Sequence, residues 1–555
     1  MSRNHRWVYI LFALLFVYGV FFILRASFTI DGKWYFSCAD DVMITLDYAR
    51  NVARGEGMRW FATGERVEGA SSLLWVLVTG AIHWIVDSKQ YTPGLVQLVS
   101  LLFLLLGLGA LFRVSMVLTD DNRGLSIGIV ALTFFYAPVL YWSVIGFEVS
   151  LAVALVLLMT EEVVRVCRGD APRLWLQACL LALMVMLRNE LGLFCLLSVA
   201  LMHVHHWRDL FSKRVLLLSS VIFGISLGIT TFRWLYFHEI LPNTYYLKMT
   251  GYPLLLRMSR GVIVAFTFLN DLSLFLVALA GVGVFLLWRR TGWRVPIALS
   301  LPWALYLAYS VYVGGDAWEY RGGANRWLVP FMGSFFLLAL YGGMDLFSRL
   351  EQHWGESVFS QRARRVVLLS CVWALLLVQV NLCGRNPLYS WTELLFLRKA
   401  MGVEKLKRDI KLGIVLARMT KTDAKIAVIV AGILPYHLEG RKFVDLYGYN
   451  DRVVAKLRAH VAGKGVKRYS SYMPGLVKWD LSYSVGTLKP DVIVRLPGLA
   501  KTAFLKDYAS MYERVELVDK RLGVREKVWV RKGSRYIKYK RLVGCKVERR
   551  KRSNT

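Results

Sequence analysis

The chain has 555 residues, of which 56% are hydrophobic and 14% aromatic, and its formal net charge at pH 7 is +32. Soluble domains are rarely so apolar, so this composition excludes an ordinary soluble enzyme and predicts a membrane protein with several spans. The Lys and Arg residues cluster between apolar segments and in the last third of the chain. That distribution is typical of cytoplasmic loops and of contacts with lipid phosphates, and it argues against nucleic acid as a partner.

Apolar segments of membrane length follow one another along the first two thirds of the chain. They lie at 7–25, 71–87, 95–118, 124–143, 148–166, 173–188, 190–206, 214–236, 261–288, 295–313, 327–347 and 365–383. The first follows a basic N-terminus, and we expect it to be an uncleaved signal anchor with that end in the cytoplasm. We predict about 11–13 spanning helices.

Basic clusters between these segments predict the orientation. Four clusters are expected to be cytoplasmic: Arg165, Arg168 and Arg173; Arg208, Lys213 and Arg214; Arg289, Arg290 and Arg294; and Arg349, Arg362, Arg364 and Arg365. The turns at 146–148, 188–190, 238–248 and 314–326 then lie outside. With the N-terminus inside, residues 71–118 must cross an odd number of times although they contain two apolar segments. Either one segment does not cross fully, or a further short helix is present.

The first outer loop, residues 26–70, carries two adjacent acids. Asp40 and Asp41 precede an amphipathic run in which Val42, Leu46 and Ala49 recur at helical spacing. An Asp in this place is a natural N-cap, because its carboxylate accepts the unpaired N–H groups of the first turn. One cap needs only one carboxylate, so the second is available for chemistry. The alternative is a helix cap beside a surface acid.

Hydropathy falls after Cys383, where we expect a separate extracytoplasmic α/β domain to begin. We assign residues 1–383 to a transmembrane catalytic module, 384–534 to this second domain and 535–555 to a basic tail that is solvated or contacts lipid headgroups. In the second domain, 391–420 is expected to be helical. Apolar β-branched runs predict strands at 426–430, 442–446, 491–494 and 528–530, with helical stretches between them.

An ordered series of motifs extends from residue 38 to residue 530. After the aspartate pair come Tyr-Ala-Arg-Asn at 48–51, Glu-Arg-Val-Glu-Gly at 65–69, Leu-Pro-Asn-Thr-Tyr-Tyr-Leu-Lys at 241–248, Gly-Gly-Asp at 314–316 and Gly-Ile-Leu-Pro-Tyr at 432–436. This series resembles a family of bacterial membrane glycosyltransferases whose best-known members are the terminal arabinofuranosyltransferases of the actinobacterial cell wall. The chain departs from the family pattern at Ala70, Ser71 and Ser72, which replace Tyr-Thr-Asn, and at Leu476, which replaces a histidine.

The resemblance implies a polytopic α-helical membrane protein with the GT-C fold and a C-terminal extracytoplasmic α/β domain. It implies an inverting enzyme of the bacterial inner (plasma) membrane that transfers a sugar, D-arabinofuranose in the relatives, from a polyprenyl-phosphate donor. The acceptor would be a glycan, a lipid or a protein, and the active site would be extracytoplasmic. Asp40 or Asp41 would be the catalytic base. A divalent cation at this pair stays an open alternative.

Other polar residues on the predicted outer side are candidates for binding substrate. They are Glu68, Glu148, Arg188, Glu190, Asn243, Tyr245, Tyr246, Lys248, Asp316, Arg321, Arg326 and Tyr436. The arginines and the lysine suit a phosphate, and the amide and hydroxyl groups suit a sugar. Several of these residues also have a structural alternative. Glu68 could pair with Arg66, Glu148 could favour the positive end of a helix dipole, and Arg188 and Asp316 could form simple ion pairs. The two tyrosines could belong to the aromatic belt at the membrane interface, and Tyr436 could hold a loop in place.

Two further functional classes fit parts of the pattern. A transporter or flippase of a lipid-linked sugar would explain the spans and the charges within them, but the sequence shows no inverted repeat of the kind common in transporters. A scaffold of a cell-envelope complex would explain the outer domain. Neither alternative requires paired acids in the first outer loop.

Overall fold

The computed structural model describes residues 6–36, 38–316, 325–353, 392–399, 402–461 and 473–539. The predicted span at 365–383, the candidate Arg321 and most of the basic tail lie outside these residues. The chain folds into two compact units. The helical unit comprises Met1–Ile23, Leu98–Ile229 and Arg257–Lys399, and the loop–sheet unit comprises Leu24–Gln97, Thr230–Leu256 and Ala400–Thr555. The loop–sheet unit thus groups the predicted first outer loop with the C-terminal region.

Helices dominate the first 353 residues. They are α1 Arg6–Ala26, α2 Asp40–Ala53, α3 Leu73–Ile85, α4 Thr92–Leu118, α5 Arg123–Phe135, α6 Ala137–Val144, α7 Val149–Cys167, α8 Leu174–Leu187, α9 Gly192–His203, α10 Lys213–Phe237, α11 Asn243–Met249, α12 Leu254–Asp271, α13 Leu274–Thr291, α14 Arg294–Val313 and α15 Met332–His353. Short 3₁₀ helices lie at Asn189–Leu191, Trp207–Phe211 and Val329–Phe331.

Within the described residues, six helices are long and apolar enough to span a membrane, and up to eight spans result if each of two bent helix pairs counts as one. The chain is therefore a multi-pass membrane protein. The segment 71–118 contains one full-length helix, α4, because α3 has 13 residues and reaches only about 20 Å against a hydrocarbon core of about 30 Å. This fits the expectation that one of its two apolar segments does not cross fully.

Two predicted spans are interrupted. The span expected at 124–143 is bent by 61° between α5 and α6, where Pro138 lies in the first turn of the second helix and cannot continue the first. The prediction of one span at 261–288 is wrong, because α12 ends at Asp271 and α13 begins at Leu274. Ser273 between them has φ +68° and caps α13 by accepting a hydrogen bond from the backbone N–H of Phe275.

A five-stranded sheet forms the core of the C-terminal region. Its strands are β3 Lys425–Val428, β4 Lys442–Asp445, β5 Val492–Ile493, β6 Tyr512–Asp519 and β7 Val524–Arg531, in the order β4-β3-β5-β7-β6. A separate hairpin pairs β1 Phe28–Ile30 with β2 Lys33–Tyr35. β3 runs parallel to β4 and to β5, while β7 runs antiparallel to β5 and to β6. The four predicted strands are confirmed, and β6 is a strand that the sequence pattern did not predict.

Helices and turns surround this sheet. They include Val403–Met419, Ile433–His437, Arg452–Ala455 and Lys501–Asp507, together with a π-helical segment at Ser482–Thr487. The helix predicted at 391–420 is described over Val403–Met419, and its buried residues Val403, Leu406 and Ile410 recur at helical spacing. Alternating strands and helices create the layered arrangement that the C-terminal sequence predicts.

Candidate functional site

The two acids of the first outer loop occupy the first turn of α2. The helix begins at Asp40, and its N-cap is Ala39, whose methyl side chain cannot accept a hydrogen bond. The expectation that an aspartate caps this helix is therefore wrong. Both carboxylates nevertheless lie at the positive end of the helix dipole, where negative charge is stabilised.

The Asp40 carboxylate forms hydrogen bonds within the loop–sheet unit. Its Oδ1 accepts hydrogen bonds from the backbone N–H groups of Gly432 (3.1 Å) and Ile433 (2.9 Å). Burial and the neighbouring charge of Asp41 raise the pKa of Asp40 to about 7, although the Ile433 N–H opposes this rise. Asp40 thus fixes the start of α2 to the loop that follows β3, and its proton equilibrium lies near neutral pH.

The rest of α2 also packs closely on this C-terminal loop. A Cβ atom on Gly432 would overlap the backbone oxygen of Asp40, so only glycine allows the two backbones to approach. Arg50 Nη1 donates to the backbone oxygen of Tyr436 at 2.7 Å, and Trp60 Nε1 of the following loop donates to a backbone oxygen at residue 431 at 2.9 Å. These contacts make α2 part of the same packed body as the loop after β3.

Tyr436, predicted to contact substrate, lies in the interior of this body. Its side chain is fully buried, and the Arg50 guanidinium lies 4.7 Å from the centre of its ring. Its hydroxyl oxygen lies 3.5 Å from His83 Nε2. The structure therefore gives Tyr436 a packing contact with α2 and α3, which corresponds to its scaffolding alternative.

Glu68 has a partner that the sequence pattern did not identify. Both of its carboxylate oxygens accept from Arg233 Nε, at 3.1 and 2.8 Å, and both side chains are buried. Arg66, the partner considered from sequence, lies over the ring of Tyr236 at 4.6 Å. The available signal for Arg233 was its position near the end of the apolar helix α10, where a charge is costly unless it is paired.

The loop that carries the Val-Glu-Gly motif is held by a buried junction of three segments. Tyr48 Oη donates to the backbone oxygen of Val67 at 2.6 Å and accepts from the Gly69 N–H at 3.1 Å, and Asn450 Oδ1 lies 3.1 Å from the same hydroxyl. Asp445 in turn accepts from the backbone N–H and side-chain amide of Asn450. A Cβ atom on Gly69 would overlap Asn450 Oδ1. The glycine of the motif is required because this junction leaves no space beside it.

The first residue of α11 is tied to the turn after β4. Asn243 Nδ2 donates to the backbone oxygens of Gly448 and Tyr449, at 2.8 Å each, and the Asn243 side chain is buried. Asn243, predicted to contact a sugar hydroxyl, therefore has a structural contact within the loop–sheet unit.

The other three candidates of α11 are less buried. Tyr245 is 36% exposed, and Tyr246 packs against it edge to face. Lys248 Nζ lies 5.6 Å from the centre of the Tyr449 ring. Among the four candidates of this helix, Tyr245 is thus the most accessible.

In the helical unit, three predicted charges form one cluster. Arg188 lies between two acids: its Nε is 2.5 Å from Glu190 Oε1, and its Nη1 pairs with Glu148. The guanidinium also lies 4.2 Å from the centre of the Trp327 ring. These residues come from the start of α7, from the end of α8 with the 3₁₀ helix that follows it, and from the loop before α15. The fold therefore brings Glu148 to Arg188, 40 residues away in sequence.

A second ion pair adjoins this cluster through the shared ring of Trp327. Arg326 Nε lies 2.6 Å from Asp316 Oδ2, and both side chains are buried. The Arg326 guanidinium lies 5.6 Å from the Trp327 ring centre and 5.2 Å from that of Phe147. The helical unit thus collects five of the predicted charges in one place: Glu148, Arg188, Glu190, Asp316 and Arg326.

Arg260 is a further cation of this region that the motif series did not include. It donates to the backbone oxygens of Gly314 and Asp316, and its side chain is buried. The available signal was again a charge within an apolar helix, α12, where burial is costly. Arg260 therefore holds the Gly-Gly-Asp loop and adds a positive charge beside the pair of Asp316 and Arg326.

The aspartate pair and its surroundings offer few side chains that could bind a divalent cation. The described part of the chain holds no group of three or more His, Cys, Asp or Glu side chains able to bind a metal ion. Asp40 Oδ1 already accepts two backbone N–H groups. Divalent cations such as Mg²⁺ and Ca²⁺ need several oxygen ligands, so the described residues do not fit a built metal site.

Comparison with known structures identifies a similar fold over nearly the whole chain. ArnT from Cupriavidus metallidurans bound to undecaprenyl phosphate matches with a TM-score of 0.52 and 13% sequence identity, covering 96% of this chain and 99% of ArnT. The apo state of the same protein matches with a TM-score of 0.49 and 13% identity, covering 95% and 98% of the two chains. The prediction of a polytopic helical GT-C fold with a C-terminal sheet region is confirmed.

The sequence comparisons add one match. A family model described as a domain of unknown function (DUF8728) covers residues 399–538, which contain the five-stranded sheet. No curated protein matches the sequence. The C-terminal region is therefore a recurring module, while its family description assigns it no activity.

Proposed function

We propose that this protein is a membrane glycosyltransferase that transfers a sugar from a polyprenyl-phosphate donor to a cell-envelope acceptor at the outer face of the bacterial plasma membrane. The fold shared with ArnT over nearly both chains supports this function, because the matched ArnT structure holds undecaprenyl phosphate. The observation that carries the proposal is the pair of adjacent carboxylates, Asp40 and Asp41, in the first turn of α2. A sugar transfer needs such a base, and a transporter does not.

In the proposed reaction, a carboxylate removes the proton of the acceptor hydroxyl. The hydroxyl oxygen then forms a bond to the anomeric carbon of the donor sugar, while the bond from that carbon to the phosphate oxygen breaks. The electron pair of the broken bond leaves with the polyprenyl phosphate. Attack opposite the leaving group inverts the anomeric configuration. General-base catalysis of this kind contributes about 10²–10⁴-fold to the rate.

We propose Asp41 as the base and Asp40 as its positioning neighbour. Asp40 Oδ1 receives the N–H groups of Gly432 and Ile433, so one of its oxygens holds the start of α2. Successive residues on a helix point about 100° apart, so the carboxylate of Asp41 faces a different direction from the Gly432 loop. Asp41 and Asp40 are both partly exposed, so exposure does not separate them and the preference rests on the direction of the two side chains.

The charges of the helical unit separate into two environments. Arg188 lies between Glu148 and Glu190, which leaves that group with a net negative charge. The group of Arg326, Arg260 and Asp316 has a net positive charge. Arg188 is already neutralised by its two acids, so we propose that the donor phosphate lies beside the second group.

Arg326 is therefore the preferred phosphate ligand within the helical unit. Within the loop–sheet unit, the corresponding candidate is Lys248, whose ammonium lies over the Tyr449 ring. A lysine ammonium and an arginine guanidinium are both common phosphate ligands in proteins. We propose each of these cations as the candidate phosphate ligand of its own unit.

The motif order favours D-arabinofuranose as the transferred sugar, since the relatives that it resembles transfer this sugar. The acceptor is a glycan, a lipid or a secreted protein of the envelope. Ala70, Ser71 and Ser72 replace the Tyr-Thr-Asn segment of that family, so we do not expect a sugar contact from those three family side chains in this chain. This difference predicts a sugar pocket that holds fewer large polar side chains.

The first experiment is a transfer assay with the purified protein in nanodiscs. Labelled polyprenyl-phosphoryl arabinofuranose is supplied with a cell-envelope acceptor fraction, and labelled product is quantified. Asp41→Asn is expected to reduce kcat by about 10²–10⁴-fold, because an amide cannot accept the proton. Asp423→Asn, which changes an exposed acid of the loop–sheet unit, is the matched control and should keep full activity.

The same preparation distinguishes transfer from transport. Wild-type activity in Asp41→Asn would contradict the assignment of the base. Labelled donor that crosses the membrane of reconstituted vesicles without any glycosylated product would instead support a flippase. Mass spectrometry of envelope glycans from a deletion strain then identifies the sugar and the acceptor that the enzyme joins.

A further inference from the structure

Lys478 is a buried lysine in the loop–sheet unit to which the sequence pattern assigned no role. Its side chain is fully buried. Its Nζ donates to the backbone oxygens of Ala455 (2.6 Å) and Tyr246 (2.8 Å), and Thr250 Oγ1 lies 3.5 Å away. A lysine ammonium has three N–H donors, and each of them has an acceptor here. Burying a charge is costly unless its hydrogen bonds are satisfied, so this site is built around the ammonium.

The three acceptors belong to two segments that are far apart in sequence. Tyr246 and Thr250 lie in and directly after α11, whereas Ala455 ends the short helix Arg452–Ala455. All three accept through backbone or hydroxyl oxygens, and burial lowers the pKa of Lys478 to about 8. The ammonium therefore joins α11 to the C-terminal region.

The backbone beside the Lys478 ammonium carries a glycine, Gly251, which leaves space for it. Gly251 has φ +83°, and a Cβ atom there would overlap the backbone oxygen of Leu457 and lie 3.2 Å from Lys478 Nζ. The Ala459 N–H also donates to the backbone oxygen of Gly251 at 3.0 Å. A side chain at Gly251 would push the end of α11 away from Lys478, so the glycine keeps the segment in contact.

Lys248 lies next to the same loop. Gly475 has φ +86°, and a Cβ atom there would lie 3.3 Å from Lys248 Cε and 2.5 Å from Tyr449 Oη. The ammonium of Lys248 lies over the Tyr449 ring. Asn243 holds the first residue of α11 through Gly448 and Tyr449. Contacts from the C-terminal region thus restrain both ends of a helix of only seven residues.

We propose that Lys478 is a positioning residue that fixes α11 and so orients Lys248 toward the phosphate of the donor. This inference rests on the proposed glycosyltransferase function. Lys478 touches no substrate in this scheme, and it acts through the backbone of Tyr246. Without the ammonium, the end of α11 keeps the Ala459–Gly251 hydrogen bond but loses the bond to the Tyr246 backbone oxygen, so we expect Lys248, two residues later, to shift.

The test compares Lys478→Met with wild type in the full-length protein. Methionine has similar length and removes the ammonium, and Tyr246 keeps its hydrogen bond from the Thr250 hydroxyl. We expect the KM for the polyprenyl-phosphate sugar to rise about 10- to 100-fold, because small misplacements of binding groups cost affinity on this scale. The kcat and the KM for the acceptor should stay near wild type. A purely structural loss would lower kcat by reducing the active fraction and leave the donor KM unchanged.

The matched control is Lys532→Met. Lys532 Nζ also donates to a backbone oxygen, that of Ser510 at 2.8 Å, but it is exposed. Its removal should leave the donor KM unchanged. In a double-mutant cycle, Lys478→Met should add no loss of donor affinity to Lys248→Ala, since both changes remove the same contact. Additive losses would overturn the proposal.

Two measurements keep the inference separate from the proposed function. Binding of undecaprenyl phosphate in detergent micelles is measured by tryptophan fluorescence. Failure of the wild type to bind this lipid would overturn the glycosyltransferase proposal, whereas equal affinities of wild type and Lys478→Met would overturn the positioning role alone. If Lys478→Met does not fold, hydrogen exchange is measured on the wild type instead. We expect the backbone amides of 246–250 to exchange as slowly as those of β3. Exchange at the rate of exposed loops would refute the proposal that Lys478 restrains α11.

Discussion

Asp40 is a carboxylate that folding makes easier to protonate. Its pKa rises to about 7 in the folded protein through burial and the charge of Asp41, compared with about 3.9 in an unfolded chain. Between these values the folded state binds a proton that the unfolded state has lost, so this group lowers the stability as the pH rises from about 4 to 7. Above pH 7 the full cost of the buried charge is present.

Asp40→Asn should therefore stabilise the protein at alkaline pH. The amide oxygen still accepts the N–H groups of Gly432 and Ile433, while the buried charge is removed. We expect the Tm of Asp40→Asn to exceed that of the wild type at about pH 8, and the difference to narrow at about pH 5, where the wild-type carboxyl is protonated. Thermal unfolding in detergent at both pH values measures this. An equal Tm difference between Asp40→Asn and wild type at the two pH values would contradict a raised pKa of Asp40. A lower Tm of Asp40→Asn than of the wild type at the alkaline pH would contradict it as well.

Residue identities were easier to predict than residue partners. The sequence singled out Asp40, Glu68 and Arg188 because charges beside apolar segments are costly. It did not indicate that Asp40 contacts Gly432 or that Glu68 pairs with Arg233, since these partners lie 392 and 165 residues away. The burial of Tyr436 was equally hidden, because a tyrosine is common both at surfaces and in cores.

Among the elements, the loop 54–72 and helix α10 are joined by the buried pair of Glu68 and Arg233. Glu68→Gln or Arg233→Met alone removes one charge of the buried pair, which costs about 3–5 kcal/mol. The double variant removes both charges, so we expect it to be more stable than either single variant. Melting temperatures of the four proteins give the coupling free energy between the two sites.

A surface pair serves as the control for this cycle. Arg349 Nε and Asp345 Oδ2 lie 2.8 Å apart on α15, with side chains 69% and 33% exposed. Exposed pairs contribute about 0–1 kcal/mol, so Arg349→Met should change the Tm little. Single variants of the Glu68 pair that unfold at the wild-type temperature would show that the buried pair does not hold the loop to α10.

The boundaries of helices were predicted closely where a long apolar run ends at polar residues. The apolar runs of α1, α4, α10 and α14 were predicted closely. The break at Ser273 was missed because its polar residues are few and apolar helices flank them on both sides. Strand β6 was also missed, since Glu513, Arg514 and Glu516 interrupt its apolar pattern, and its pairing with β7 supplies the hydrogen bonds that define it.

At the scale of the whole molecule, the positive-inside rule predicts which loops face the cytoplasm. A cysteine introduced at Lys520, an exposed position in the turn between β6 and β7, should react with a membrane-impermeant maleimide in intact cells. A cysteine at Arg208, exposed in the loop between α9 and α10, should react only after the cells are permeabilised.

The parent chain is the control for labelling of native cysteines, because Cys179 is exposed, whereas Cys38 and Cys195 are buried. Labelling of Arg208→Cys in intact cells would reverse the orientation and place the C-terminal sheet region inside. It would then also contradict the proposed use of a donor at the outer face, because the aspartate pair and the sheet belong to the same compact unit.

The sequence by itself determined the membrane class, most helices, four of the five strands of the C-terminal sheet and the residues that carry charge in apolar surroundings. These properties depend on hydrophobic periodicity and on the cost of burying charge, which are readable within about twenty neighbouring residues. Only the tertiary structure decided that the first outer loop and the C-terminal region form one unit, that Asp40 binds the loop after β3, and that Lys478 reaches α11. Such contacts join residues hundreds of positions apart, and they are fixed by packing and by hydrogen bonds that no local pattern specifies.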